Sequence, residues 1–97
     1  MSAKLLRVLV DGGPAAVAAV LHEDVHFRQG DGTVHRGREA VLSMFGKSER
    51  GVRYAVVEES FGTIRVAMSV PGVPTHFSFL LCGRAVDDRL VEVWVEA

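Results

Sequence analysis

His22-Glu23-Asp24-Val25-His26 spells H-E-x-x-H, a string that on a helix sets two imidazoles on one face around zinc, with the glutamate as general base. That chemistry needs an unbroken helix through His26, whereas Val25, Phe27 and Gln29 begin a strand alternation there. No downstream residue stands in a recognisable third-ligand spacing. The sequence is therefore expected to hold no metal, with Glu23 and Asp24 as solvated loop acids and the Asp24 carboxylate bonding nearby backbone. Gly46-Lys47-Ser48 looks like the tail of a phosphate-binding loop, but Val41 stands where the leading glycine is required and the segment follows a helix. No nucleotide and no other cofactor is expected. Cys82 has no cysteine partner and sits in an apolar run, as a buried inert thiol does.

The elements that must position these groups follow from periodicity. Leu5 with Leu9, and Leu6 with Val10, repeat as one stripe of a short helix over Ala3 to Val10, which Gly12-Gly13 ends. Pro14 opens a second helix, with Val17, Val20 and Leu21 on its apolar side. The Val25, Phe27, Gln29 alternation predicts a strand, Asp31-Gly32 a tight turn, and Thr33 to Arg36 its hairpin partner. From Gly37 to Phe45 the period changes: Ala40, Val41, Met44 and Phe45 make a helical stripe, closed by Gly46. Val52 to Phe61, Thr63 to Val70, Thr75 to Cys82 and Leu90 to Glu96 are rich in Val, Ile, Phe and Tyr and predict four further strands.

Composition narrows the function. The 97 residues, 48% of them apolar, predict a single domain over 1–97 with little stability to spare for an open cavity. Eleven basic against twelve acidic residues give a net charge of -1, so no electrostatic footprint for nucleic acid or an anionic membrane surface is present. No apolar run approaches the roughly 20 residues of a membrane span, and the N-terminal MSAKLLRVLVDGG reaches no small-x-small cleavage site. A cytoplasmic protein is expected.

An acidic residue ahead of an apolar strand, an Asp-Gly turn and then G-R-E-A-V (Gly37 to Val41) opening a helix resembles the nuclear-transport-factor-2-like superfamily, including its SnoaL-like polyketide cyclases and ketosteroid isomerases. The resemblance spans almost the whole chain and implies an α+β fold: a cone-shaped half-barrel of order ααββαββββ, its curved mixed sheet wrapped around helices. In the isomerases of that superfamily a first-strand Asp carries the proton, while a protonated Asp and a Tyr stabilise the oxyanion. By motif alignment the two Asp positions fall on Gln29 and near Leu80, neither of which exchanges a proton near neutral pH. Leu90 to Trp94, L-V-E-V-W, is similar to the strand ending of the cyclases, but Val95 stands where their acid is common.

With Gln29 and Leu80 inward, strand parity carries Val25, Phe27, His76, Ser78 and Cys82 inward as well. Together with Met44 and Phe45 of the third helix, and Trp94 at the open end of the cone, these residues are expected to line a pocket for a small hydrophobic molecule of terpenoid, polyketide or aromatic character. His76 is then the one inward group that titrates near neutral pH, and the candidate acid or base of any isomerase, cyclase or hydrolase reaction. Whether the chain is an enzyme stays open. The alternative is a cone filled by its own side chains, which suits a non-catalytic, dimeric interaction module of the same fold. Phe77, Phe79 and Leu81 fall on the opposite face, where an apolar patch predicts a homodimer through the outer side of the sheet.

Overall fold

The computed structural model describes residues 2–45, 51–75 and 77–96. Their elements run α1 (Ser2–Asp11), α2 (Pro14–Val20), β1 (Leu21–Arg28), β2 (Val34–Arg36), α3 (Arg38–Phe45), β3 (Arg53–Ser60), β4 (Thr63–Ser69), β5 (Phe77–Val86) and β6 (Arg89–Glu96), which is the expected order. The residues 46–50, with the proposed helix stop at Gly46, and His76 lie outside the described residues.

One mixed sheet of order β2-β1-β6-β5-β4-β3 carries the chain. All neighbouring strands are antiparallel except β1 and β6, which run parallel. The helices share one face of the sheet: α1 packs on β3 to β6, and α3 on β1 and β2. Between the layers lie Leu6, Val17, Leu21, Val25, Val41, Ile64, Leu81, Leu90 and Val93, each fully or almost fully buried. Burial of such a side chain contributes about 1.5–3 kcal/mol, so this layer supplies the main driving force.

Glycine sets how closely the layers approach. A Cβ built on Gly83 of β5 would come within 2.8 Å of Leu6 Cδ2 on α1, so only a bare backbone lets the helix settle there. In the β1–β2 hairpin Gly32 takes φ 92°, and Asp31 Oδ1 accepts a hydrogen bond from the Thr33 N–H at 2.8 Å. That bond holds the Asp31 carboxyl below its ordinary range.

Helix α2 gives way to β1 at Leu21, earlier than the alternation indicated. The whole H-E-x-x-H string therefore runs along a strand. His22 Nδ1 accepts a bond from the Asp24 N–H at 3.0 Å, while His26 Nε2 lies 3.8 Å from Glu92 Oε2 on β6. The local bond to backbone is thus the histidine's, and Asp24 points to solvent.

Three irregularities steer the sheet, the first where the β1–β6 pairing jumps from Leu21↔Leu90 to His26↔Glu92. On β3 the register shifts between Val56 and Glu58. Between β5 and β6 it shifts from Arg84↔Glu92 to Ala85↔Leu90, so Val91 is an extra residue. Leu90 and Val93, three apart, consequently both face the helices. No helix among the described residues is long and apolar enough to cross a membrane.

Candidate functional site

A cavity of about 570 Å³ lies between the helices and the inner face of the sheet. Its walls come from five places. The end of α1 and the turn into α2 give Leu9, Val10, Gly12, Gly13 and Pro14; α3 gives Met44 and Phe45. β1 and the loop after it give Phe27 and the Gln29-Gly30 segment, β3 gives Tyr54, and β4 to β6 give Val66, Phe79, Leu81 and Val95. Phe45 stands edge-on to Phe27 with ring centroids 4.9 Å apart.

The chemistry of this lining is narrow. Among the described lining residues none carries a charge, and the Gln29 amide and Tyr54 hydroxyl are the only polar side-chain groups. Three donors and two acceptors can come from those two side chains. The cavity thus offers a large apolar surface with a few neutral hydrogen-bonding groups, the usual make-up of a small-molecule site.

The structure brings together four of the residues expected at the pocket: Phe27, Gln29, Met44 and Phe45. Val25 is fully buried in the core, separate from the cavity lining. His76 lies outside the described residues. Ser78, Leu80, Cys82 and Trp94 take the opposite face of the sheet, which corrects the parity expected for β5 and β6. The ladder pairs Ile64↔Leu81 and Val66↔Phe79 face the helices, and the intervening Leu80 and Cys82 pair with Arg65 and Thr63 on the outer side. Trp94 pairs with Cys82 and shares that outer side. The expected outer patch of Phe77, Phe79 and Leu81 is therefore an inward row, and Leu81 is only 1% exposed.

Cys82 is nonetheless buried, covered by its outer-face neighbours. The Thr63 hydroxyl donates to its Sγ at 3.6 Å, and the thiol donates to Glu96 Oε2 at 3.3 Å. Burial pushes the Cys82 thiol above its ordinary pKa, and the Glu96 carboxylate adds to the rise.

An inward histidine was missed. His35 of β2 is the ladder partner of Phe27 and stacks on it at 6.2 Å between centroids. Its Nε2 is enclosed without a hydrogen-bond partner among the described residues, as is Arg38 Nε at the start of α3. A two-residue turn at Asp31-Gly32 would set Phe27 level with Arg36, whereas the three-residue loop that closes Gln29 on Thr33 shifts the register by one and brings His35 onto the face of Phe27. Tyr54, Val66, Phe79, Leu81 and Val95 were missed as well. The bulk of Phe79 and Leu81 against Ser78 and Cys82 was the available signal.

No protein-family model and no curated protein matches the sequence. Solved structures do resemble the fold. An NTF2-like protein of unknown function from Mesorhizobium loti superposes with a TM-score of 0.81 at 22% identity, over 98% of this chain and 88% of that one. A protein of ketosteroid isomerase-like fold from Catenulispora acidiphila, crystallised in complex with trimethylamine, gives 0.66 at 12% identity, over 100% of this chain and 87% of the other. An LEH-like epoxide hydrolase from M. tuberculosis gives 0.67 at 15%, over 97% and 80%. With this element order, strand order and cone of helices on a curved sheet, the chain has the nuclear-transport-factor-2-like fold.

Proposed function

We propose that the protein binds a small, mostly apolar and uncharged molecule in the cavity between α3, the α1–α2 turn and the inner face of the sheet. One observation carries this reading: about 570 Å³ is walled by apolar side chains, with Gln29 and Tyr54 as the only polar ones among the described lining residues. A polyanionic ligand would bury charge there without a cation, at a cost of several kcal/mol per ion. Binding is favoured over catalysis because that lining supplies no carboxylate, imidazole, ammonium or thiol to move a proton. The isomerase arrangement lacks its acids on either parity, since Gln29 directly follows the first strand and the inward neighbours of Leu80 are Phe79 and Leu81. Among proteins of this fold, one similar structure is an epoxide hydrolase and another holds trimethylamine, so small-molecule chemistry suits the scaffold.

Native mass spectrometry of freshly purified protein is the test. A co-purified neutral, apolar compound that leaves on Phe45→Ala substitution supports the reading. A sugar phosphate or nucleotide in its place, or failure of the neutral dye Nile red to bind at all, refutes it.

For the partner we propose a homodimer through the outer sheet face. The ladder row Ala55, Ala67 and Ser78 is small and flat there, with Leu80 in the next row. Sedimentation of Leu80→Arg beside the wild type checks it: two monomers remove the dimer, and a wild-type dimer split by the substitution supports it.

A further inference from the structure

The inner face of the sheet continues past the cavity. Along β5, Leu81, Phe79 and Phe77 face the helix side in turn, level with Ile64, Val66 and Met68 of β4. Their cover thins in that order: Leu81 is 1% exposed, Phe79 half-buried, and Phe77 46% exposed. Met68 pairs in turn with Tyr54 of β3, which is 44% exposed and belongs to the cavity wall. The row Tyr54, Met68, Phe77 is therefore an apolar shelf joined to the cavity through Tyr54. Met44, at the end of α3, also lines the cavity and is 37% exposed. Large apolar side chains that are open to water and continuous with a binding cavity mark surface that an occupant covers.

Gln29 fixes the inner end. Its predecessor Arg28 pairs with Trp94, so Gln29 comes level with Val95, and Val95 pairs with Leu81. From Leu81 out to Phe77 the strand advances four residues, about 14 Å at the usual rise. The one side-chain amide among the described lining residues and the exposed aromatic shelf thus stand at opposite ends of a continuous apolar track.

Resting on the binding function above, we propose that the ligand is an elongated neutral amphiphile. Its polar head bonds the Gln29 amide, its chain runs along β5 past Phe79, and its tail lies on the Tyr54-Met68-Phe77 shelf. The head is uncharged because no described lining residue carries a charge to pair with it.

The probes are straight-chain primary alcohols, octanol, decanol, dodecanol and tetradecanol, displacing Nile red from the wild type and from Phe77→Ala. On a shelf each methylene is covered on one side, so half the gain of full burial gives about fourfold tighter displacement per two-carbon step. That gain is expected to persist to tetradecanol in the wild type and to fade at the longer alcohols in Phe77→Ala, with octanol unchanged between the two. Dodecanoate should displace more weakly than dodecanol. Affinity that levels off at decanol in the wild type, with octanol bound, overturns the elongated ligand and leaves the cavity as a binding site. No displacement by any alcohol, with no binding of Nile red, takes both down. A dimer that Phe77→Ala splits, without any chain-length effect, gives the shelf to a second copy and overturns the proposal too.

Discussion

Phe45 meets Phe27 edge-on, with the ring planes at 63° and the centroids 4.9 Å apart, so a single aromatic contact ties α3 to β1 at the cavity wall. Phe27 is only 5% exposed, and Phe27→Ala is expected to cost about 3–5 kcal/mol of stability. Phe45 is half-buried, so its truncation should cost less. A double-mutant cycle in urea is expected to return a coupling of about 0.5–1.5 kcal/mol for the pair. Both variants should also bind Nile red more weakly than the wild type. Unchanged affinity in both would place the binding site elsewhere.

Gly83 makes the opposite demand. Adding a single methyl there pushes against Leu6 Cδ2 at 2.8 Å and Leu90 Cδ2 at 3.1 Å. Gly83→Ala should destabilise by about 1–3 kcal/mol through overpacking. In a Leu6→Ala background the same change should cost much less, because the space opened by the leucine receives the methyl. Equal costs in the two backgrounds, read from denaturation midpoints, would show that α1 is not the element being displaced.

The Cys82 thiol should react slowly. It is 4% exposed, and burial raises its pKa, so native protein presents little thiolate to an alkylating reagent. Iodoacetamide labelling followed by intact mass is expected to be slow in buffer and fast in denaturant. The sign for stability follows from the raised folded-state value. The contribution is full below the ordinary thiol pKa and is lost as pH rises through the folded one. Cys82→Ser should therefore lose less stability than the wild type on going to alkaline pH. An equal alkaline loss in both would assign it to other groups.

Asp87 and Asp88 join β5 to β6 with φ angles of 53° and 61°, a left-handed pair that glycine adopts more readily. Asp88→Gly is expected to stabilise by about 1 kcal/mol, raising Tm by about 4–8 °C for a chain of this size. A lower Tm would mean that the aspartate carries an interaction of its own.

Much of this architecture could be read from residue patterns. The α3 stripe of Val41 and Phe45 and the Asp31-Gly32 hairpin are local signals, set by neighbours a few residues away. Sidedness on β5 was less legible because placing Leu80 inward shifted every residue of the strand by one, and the period of two turned that step into an exchange of faces. Bulk pointed the right way: Phe77, Phe79 and Leu81 outweigh Ser78, Leu80 and Cys82 in apolar surface. Trp94 had a different cause. Strict alternation from buried Leu90 carries it inward, and the extra residue at Val91 turns it outward opposite Cys82. Such a bulge is a property of two paired strands and leaves little trace in either alone. Tyr54 reaches the cavity from the far edge of the sheet, a placement that only the β3–β4–β5 register reveals.

The register shift on β3 also bears on behaviour at high concentration. As the outermost strand of the order β2-β1-β6-β5-β4-β3, β3 has one side of its backbone without a strand partner among the described residues. A straight apolar margin of that kind is a template onto which another chain can stack. Here the shift at Val56/Glu58 bends it, and Arg53, Glu58 and Glu59 put charge along it. The opposite margin, β2, is only three residues long. Neither side offers a long, flat strip, so growth of this sheet into filaments is blocked at both borders even while apolar rings stand open to water a few residues away.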